Sequence, residues 1–270
     1  MNLLKCILGA NDCFRTGEFI KPVGVMIHST GANNPMLRRY VQPLPGYADY
    51  AELMEKLGDN PNNNDWNRSG LNVCVHGFIG KLADGNVASV QTLPWDMRGW
   101  HSGRGKNGSA NDTHIAFEIC EDSLDDPTYF AAVYKEAVDL TAHLCREFKL
   151  DPLSDGVVIC HSEGCKRGIA SNHGDVMHWF PKHGKSMDSF RSDVSSKMSE
   201  NKKDDEWDKF NVLMNRWNIE LKQAAPSDWS ADARDWAVQN GLFVGTGDSF
   251  EWKRNVTREE LAVILHRYNK

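Results

Sequence analysis

Two histidines that end short apolar runs are the residues best suited to act together chemically. His28 ends one run and His161 ends another, and a His-x-Asp pair, His173 and Asp175, follows the second. Short β-branched runs that end in a polar residue are typical of buried strands that deliver one side chain to a sheet edge. Neutral imidazole and carboxylate are ligands that Zn²⁺ takes when one position stays open for water. The spacing therefore predicts a metal site built from distant segments. The alternative is that each histidine is a hydrogen-bonded structural residue.

Length, charge and cysteine content restrict the class of protein. The chain has 270 residues and a formal net charge of −6, so it has no basic footprint for nucleic acid, and no such partner is expected. No uninterrupted apolar stretch approaches the length of a membrane span. The apolar N-terminal stretch is broken by Lys5 and Cys6, which makes a poor signal peptide. We therefore expect the protein to stay in the cytoplasm after synthesis until something else releases it. Seven scattered cysteines without a Cys-x-x-Cys pair argue against a disulfide framework or a thiolate zinc site.

The first 195 residues show alternating strand and helix patterns. The predicted strands are residues 23–28, 71–79, 87–92, 114–120 and 156–161, and the predicted helices are 34–42, 46–57, 127–149 and 186–198. Residues 195–206 are rich in Ser, Lys, Asp and Glu, which favours a solvated face or a linker. An amphipathic helix is predicted over residues 208–225, ended by Pro226.

Four separated motifs in the first two thirds of the chain resemble one family. They are Met-Ile-His-Ser-Thr at 26–30, Gly-Trp-His-Ser-Gly at 99–103, Ile-Ala-Phe-Glu-Ile-Cys at 115–120 and Ile-Cys-His at 159–161. In this order they resemble the zinc-dependent N-acetylmuramoyl-L-alanine amidases of the amidase-2 type, which share a fold with peptidoglycan recognition proteins. The chain looks most like a phage or prophage endolysin. The resemblance implies an α/β fold with a central mixed β-sheet flanked by helices, and a bound Zn²⁺.

The resemblance also implies which residues hold the metal. His28 and His161 match the first two ligands of the family. Many members have a Lys two residues before the third ligand, and here His173 stands two residues before Asp175. That offset makes Asp175 the third ligand and His173 a candidate stabiliser of the oxyanion. His178 is the alternative third ligand, since it follows Asp175 by three residues and could face the same site.

Glu118 matches the catalytic carboxylate of the family. Strand alternation places it on the opposite face from Phe117, which argues against a simple core position; the alternative is an exposed strand Glu in a surface ion pair. His101, Trp100 and His76 are candidates for substrate contact. His101 could equally be a solvent-facing loop residue.

The tail resembles a single S-layer-homology module. The resemblance rests on residues 229–242, 245–247 and 256–268. The pattern predicts a helix, a loop and a second helix. Gly241 ends the first helix, and Thr257 and Glu260 form a capping box at the start of the second. Such modules bind cell-wall polymers; the alternative is a helical hairpin that packs on the catalytic domain or on a partner chain.

These patterns divide the chain into three parts. Residues 1–195 are the predicted zinc amidase domain, 196–225 a charged linker and amphipathic helix, and 226–270 a wall-binding or oligomerisation module. The predicted function is that of an endolysin that cleaves between N-acetylmuramic acid and L-alanine in peptidoglycan and acts on the cell wall after release. Alternatives are a catalytically silent peptidoglycan-binding protein and a wall-anchored structural protein. The tail is expected to bind a secondary wall polymer, or to join copies of the chain into a homo-oligomer.

Overall fold

The structure is a computed structural model that describes residues 1–245 and 250–269, with the backbone alone for 201–206 and 208. The chain forms two compact units, Met1–Glu200 and Asn201–Lys270. Within the described residues, no helix is both long enough and apolar enough to cross a membrane.

A six-stranded mixed sheet forms the centre of the first unit. Its strands are β1 Leu3–Lys5, β2 Gly24–Ser29, β3 Gly77–Lys81, β4 Val87–Gln91, β5 His114–Ile119 and β6 Val158–Cys160, in the spatial order β1-β4-β3-β5-β2-β6. The β3–β4 pair is antiparallel, and all the other pairs are parallel. The predicted mixed sheet is confirmed. Because β3, β5, β2 and β6 run in one direction, their carboxyl ends meet at one edge.

Helices cover the sheet and continue into the second unit. They are α1 Asp12–Thr16, α2 Tyr50–Leu57, α3 Pro127–Glu147, α4 His161–Lys166, α5 Met187–Gln223, α6 Ala231–Gln239 and α7 Arg258–Tyr268. The helix predicted over residues 127–149 is α3. It begins where the Asp126 side chain accepts hydrogen bonds from the Thr128 and Tyr129 amides and Pro127 fills the first position.

Both faces of the sheet are buried, as the alternating side chains of β2 show. Val25 and Ile27 pack into the cluster that contains α3 and the start of α5, whereas Met26 packs into a second cluster on the other face. His28 has the parity of Met26, so β2 directs its side chain to the second face at the carboxyl end. Covering both faces is the usual condition for strands that are mainly parallel.

Several elements differ from the sequence predictions, and the helix predicted over residues 34–42 is only a 3₁₀ turn, Leu37–Arg39. The strand predicted over residues 71–79 begins only at Gly77; before it, Cys74 makes an isolated bridge to Trp100. The sequence pattern missed β1, a three-residue edge strand too short for alternation to be visible. The run 195–206 is helical, inside α5, because it contains no Gly or Pro that would interrupt a helix. Helix α5 ends three residues before Pro226.

The second unit contains the predicted helix, loop and helix. At the start of α7 the Thr257 hydroxyl accepts from the Glu260 amide at 3.2 Å, and the Glu260 carboxylate accepts from the Thr257 amide at 2.8 Å. Gly241 follows the end of α6 with a positive φ of 69°. Thr246 and Gly247 of the predicted motif lie outside the described residues. The resemblance of this unit to an S-layer-homology module remains a prediction.

We expect Gly24 in β2 to be intolerant of any side chain. A Cβ there would lie 2.4 Å from the Val157 carbonyl oxygen and 2.7 Å from the His114 ring. Gly24→Ala should therefore lower the free energy of unfolding by about 1–3 kcal/mol, as overpacking does. Denaturant unfolding followed by circular dichroism measures this. Gly9→Ala is the control, because a Cβ at Gly9 meets nothing within 4 Å. Equal stability of the two variants would contradict the packing described.

Candidate metal centre and catalytic cleft

Three side chains converge at the carboxyl edge of the sheet. His28 lies near the end of β2, and His161 is the first residue of α4, directly after β6. Since β6 pairs with β2, the two imidazoles are brought together, with 3.2 Å between their Nδ1 atoms. Asp175 Oδ2 lies 3.1 Å from Nδ1 of His161 and 3.7 Å from Nδ1 of His28. Asp175 adopts a φ of 44°, in the left-handed region that Asp tolerates better than most residues.

A backbone-anchored chain of hydrogen bonds fixes the tautomer of His28. His101 Nε2 lies 3.2 Å from the His114 carbonyl oxygen, which can only accept, so Nε2 carries the proton. Burial, and next the neighbouring His28, hold the pKa of His101 well below its ordinary value, so the ring is neutral and Nδ1 accepts. His28 Nε2 then donates to His101 Nδ1 at 3.1 Å. The Nδ1 atom of His28 is therefore unprotonated and faces the centre.

A second chain holds His161. Its Nε2 lies 3.2 Å from the Ser171 hydroxyl oxygen, and that hydroxyl reaches the Ser102 carbonyl oxygen at 3.2 Å. With Ser171 donating to the carbonyl, His161 donates from Nε2 and keeps a lone pair on Nδ1. Ser171 Oγ also lies 3.1 Å from His173 Nδ1, so one hydroxyl contacts both histidines.

The three facing atoms fit a zinc ion. Two unprotonated Nδ1 atoms and a carboxylate oxygen repel one another unless a cation lies between them, and buried Asp175 Oδ2 has no hydrogen-bond partner. Tetrahedral ligands with 2.0–2.1 Å bonds to zinc lie about 3.3 Å apart, close to the separations found here. Among the described residues, this trio alone brings three such ligand atoms within 4.8 Å of one another.

The protonation of the trio supports the same interpretation. Burial lowers the pKa of His28, and the nearby Asp175 only partly offsets that effect. Burial acts to raise the pKa of Asp175, but the adjacent imidazoles of His161 and His28 outweigh it and hold the pKa below its ordinary value. A neutral imidazole and an ionised carboxylate are the forms that bind metals.

Glu118 lies beside the trio with one oxygen unsatisfied. In the β2–β5 register it pairs with His28, so the two side chains project from the same face of the sheet. Its Oε2 is buried without a hydrogen-bond partner. Burial, followed by the charges of Asp175 and Glu121, raises the pKa of Glu118 well above its ordinary value. Among the described residues Glu118 makes no ion pair of the kind considered from the sequence, and a buried carboxyl with a raised pKa is suited to accept and donate a proton.

The trio opens into a cleft of about 830 Å³. Trp100, His101, Glu118 and His173 line it together with the three ligand candidates. His173 is exposed in the cleft, with its ring centroid 4.7 Å from that of His161. Trp100 is half-buried in the wall. His101 is a cleft residue, as expected, and the structure adds its hydrogen bond to His28.

Two predicted residues lie elsewhere or act differently. His76 is fully buried: Nε2 bonds to the Met97 carbonyl oxygen at 2.7 Å, and Nδ1 accepts from the Ala116 amide at 3.0 Å. Burial lowers its pKa to about 4. The prediction that His76 contacts substrate is wrong, because neither nitrogen reaches the cleft. His178 also lines the cleft, but its Nε2 lies 2.9 Å from Glu121 Oε1, and it is not in the trio.

Sequence reasoning missed Ser171 and Asn111. Ser171 contacts His161 and His173, and Asn111 Oδ1 accepts from the amides of His101 and Ser102 at 2.8 Å, which holds that loop. The only available signal for Ser171 was its place two residues before His173. Nothing local marked Asn111, because its partners lie nine and ten residues away.

Comparison with known families gives a match over most of the first unit. The model of the N-acetylmuramoyl-L-alanine amidase family matches residues 19–178, more than half of the chain. No curated protein matches the chain.

Several solved structures are similar to the chain at low identity. Staphylococcus aureus hydrolase AmiA, in complex with its ligand, is 19% identical, with 73% of this chain and 83% of that one covered and a TM-score of 0.47. PlyL is 19% identical, with 72% and 96% covered and a TM-score of 0.45. A mutant endolysin from Bacillus subtilis is 23% identical, with 72% and 99% covered and a TM-score of 0.42.

The first site prediction concerns metal affinity. Asp175→Ala should abolish stoichiometric zinc binding, because it removes one of the three ligand candidates, whereas His178→Ala should leave it intact. His101→Phe removes the acceptor for His28 Nε2 and should weaken zinc binding by about 10–100-fold. Competition with a chromogenic chelator measures the dissociation constants.

His101→Gln is the matched control, because an amide oxygen can still accept from His28; it should recover much of the affinity. Zinc retained by Asp175→Ala but lost by His178→Ala would reassign the third ligand. Unchanged affinity in His101→Phe would remove the orienting role of His101.

The second site prediction concerns pH and stability. In metal-free protein, Glu118 favours its protonated form in the folded state more than in the unfolded chain. Below the pKa of Glu118 in the unfolded chain, near 4.3, the carboxyl therefore does not change the free energy of unfolding. As the pH rises above that value, the carboxyl lowers the free energy of unfolding increasingly. Glu118→Gln, which mimics the protonated form, should raise the melting temperature in chelator at pH 7–8, and the gain should vanish towards pH 4. A gain that is constant with pH would show that the raised pKa is not its cause.

Proposed function

The chain belongs to the N-acetylmuramoyl-L-alanine amidase family, and we propose that it is an endolysin that hydrolyses the bond between the lactyl group of N-acetylmuramic acid and L-alanine. The observation that carries the proposal is the convergence of His28, His161 and Asp175 beside a buried, unsatisfied Glu118. Family membership supports a peptidoglycan amidase in general; the particular bond, the metal and the lytic role belong to the proposal.

His28, His161 and Asp175 would hold Zn²⁺. The ion, when bound, supplies a Lewis acid for the scissile carbonyl and for water. The chain's part is to present two Nδ1 lone pairs and one carboxylate oxygen with their orientations already fixed. The hydrogen bonds from His28 to His101 and from His161 to Ser171 achieve this before any ion arrives.

Glu118 transfers the proton during hydrolysis. Hydrolysis forms a bond from water oxygen to the lactyl carbonyl carbon and breaks the bond from that carbon to the alanine nitrogen. Glu118 accepts the proton that the attacking water loses and donates it to the departing amine, so the carboxylate is restored. Proton transfer by a positioned side chain contributes roughly 10²–10⁴-fold to the rate.

His173 stabilises the oxyanion. Because the Ser171 hydroxyl gives its one proton to the Ser102 carbonyl, its oxygen accepts from His173 Nδ1, and the imidazolium form of His173 would donate from Nε2 to the oxyanion. Trp100 offers an apolar surface for a sugar ring or for the stem peptide.

The experiment is digestion of purified bacterial cell walls by the full-length protein, with identification of the new end groups. We expect free N-terminal alanine to appear without new reducing sugar ends. Glu118→Gln should lower the rate by about 10²-fold or more at unchanged zinc content. His173→Ala should also lower the rate at constant zinc, and His173→Lys should recover part of it.

Three outcomes would contradict the proposal. New reducing ends would indicate a glycosidase. Wall binding without any cleavage would indicate the catalytically silent binder considered from the sequence. Activity of Glu118→Gln within a few-fold of wild type would remove the proton-transfer role of Glu118 while leaving the amidase assignment intact.

A further inference from the structure

The second half of α5 carries a regular row of large apolar side chains. The row, which we call the 207–221 seam, consists of Trp207, Phe210, Met214, Trp217 and Leu221. The successive spacings are three, four, three and four residues. Apolar residues with a mean spacing of 3.5 form one stripe along a helix, the a and d positions of a coiled coil.

The aromatic residues of the seam are exposed, unlike the apolar residues in the first half of the same helix, while Met214 and Leu221 are half-buried. Met187, Phe190 and Val194 of α5 are buried in the core of the first unit. In contrast, Phe210 is 49% exposed and Trp217 is 50% exposed. Among the described side chains of residues 201–270, the buried apolar ones are Ala237 and Leu242 alone, so the seam is not the core of that unit.

The positions flanking the seam favour a second copy of the same helix. In the heptad frame they are Asn211, Leu213, Asn218 and Glu220. Of these only Glu220 is charged, and it pairs with Arg216 of its own helix at 2.9 Å; Glu206, the next flanking position, precedes the seam. Two identical helices can therefore approach without a run of like charges at the edges. Leu213 widens the apolar stripe on one side.

We propose that the 207–221 seam is a homotypic interface, which pairs with the seam of a second copy of this chain. A three-four repeat is self-complementary, since each knob of one helix meets a hole of the same composition on the other. A saccharide would need several donors and acceptors along the same stripe, whereas the polar groups of the seam side chains are the indole N–H donors of Trp207 and Trp217. Pairing joins two tails in one particle, so weak wall contacts made by each tail would act together.

The test is the mass of the full-length protein in solution. Sedimentation equilibrium at micromolar concentration should give more than one chain for the wild type. Phe210→Lys places a charge in the seam and should shift the protein to monomer. Val212→Lys is the matched control: Val212 lies two residues away on the same helix and is 67% exposed, but it is outside the seam. It should leave the mass unchanged.

Circular dichroism and cleavage of a soluble muropeptide check that both variants fold. Both readouts should be unchanged, because Phe210 and Val212 lie outside the first unit, Met1–Glu200. A wild type that is strictly monomeric would overturn the proposal. So would an oligomer that survives both Phe210→Lys and Met214→Lys, because the interface would then lie elsewhere. Equal dissociation by Val212→Lys would also overturn it. If the wild type is a monomer and Phe210→Lys abolishes its binding to the wall, the seam binds the wall instead of a second chain.

Discussion

Pairing of β2 with β5 on one side and β6 on the other determines where every reactive group lies. The β2–β5 register sets His28 beside Glu118, and the β2–β6 pairing brings His161 to the same edge. A shift of one residue along β2 would turn the His28 side chain to the α3 face and move it out of the cleft. The packing of Gly24 against Val157 and His114 leaves little room for such a shift. The site depends on this strand register more than on any single contact at the metal centre.

Hydrogen bonds decide which nitrogen of each histidine faces the centre. A histidine delivered to a sheet edge can present either nitrogen, and the choice decides whether it can bind an ion. Here backbone carbonyls of His114 and Ser102 stand at the far ends of the two relays, and carbonyls can only accept. The choice of nitrogen is thus made by groups that cannot change their protonation. Asp175 Oδ2 and Glu118 Oε2 are both buried at the centre without a hydrogen-bond partner.

Much of the fold was predictable, because strand-end histidines and the apolar face of α3 are local signals. His28, His161 and Asp175, which the structure brings together, were all identified from sequence. His76 shows the limit: it follows a predicted strand much as His28 ends one, yet its partners are the backbone of Met97 and Ala116. Those partners are visible only in three dimensions. Likewise, the roles of Ser171 and Asn111 depend on contacts between loops, and the charged run before residue 207 continues as helix where composition favoured a linker.

The three ligand candidates are not held with equal stiffness. His28 and His161 are mounted on the sheet or directly after it, whereas Asp175 opens a short 3₁₀ turn and has a left-handed backbone conformation. Displacing the backbone of His28 requires breaking strand pairing, whereas displacing the Asp175 carboxylate requires only that one 3₁₀ turn relax. If Zn²⁺ binds to this trio, the carboxylate would accordingly close around it last and release it first. Exchange of the ion with solvent would be gated by the turn at Asp175, on the time scale of loop motion rather than of sheet opening.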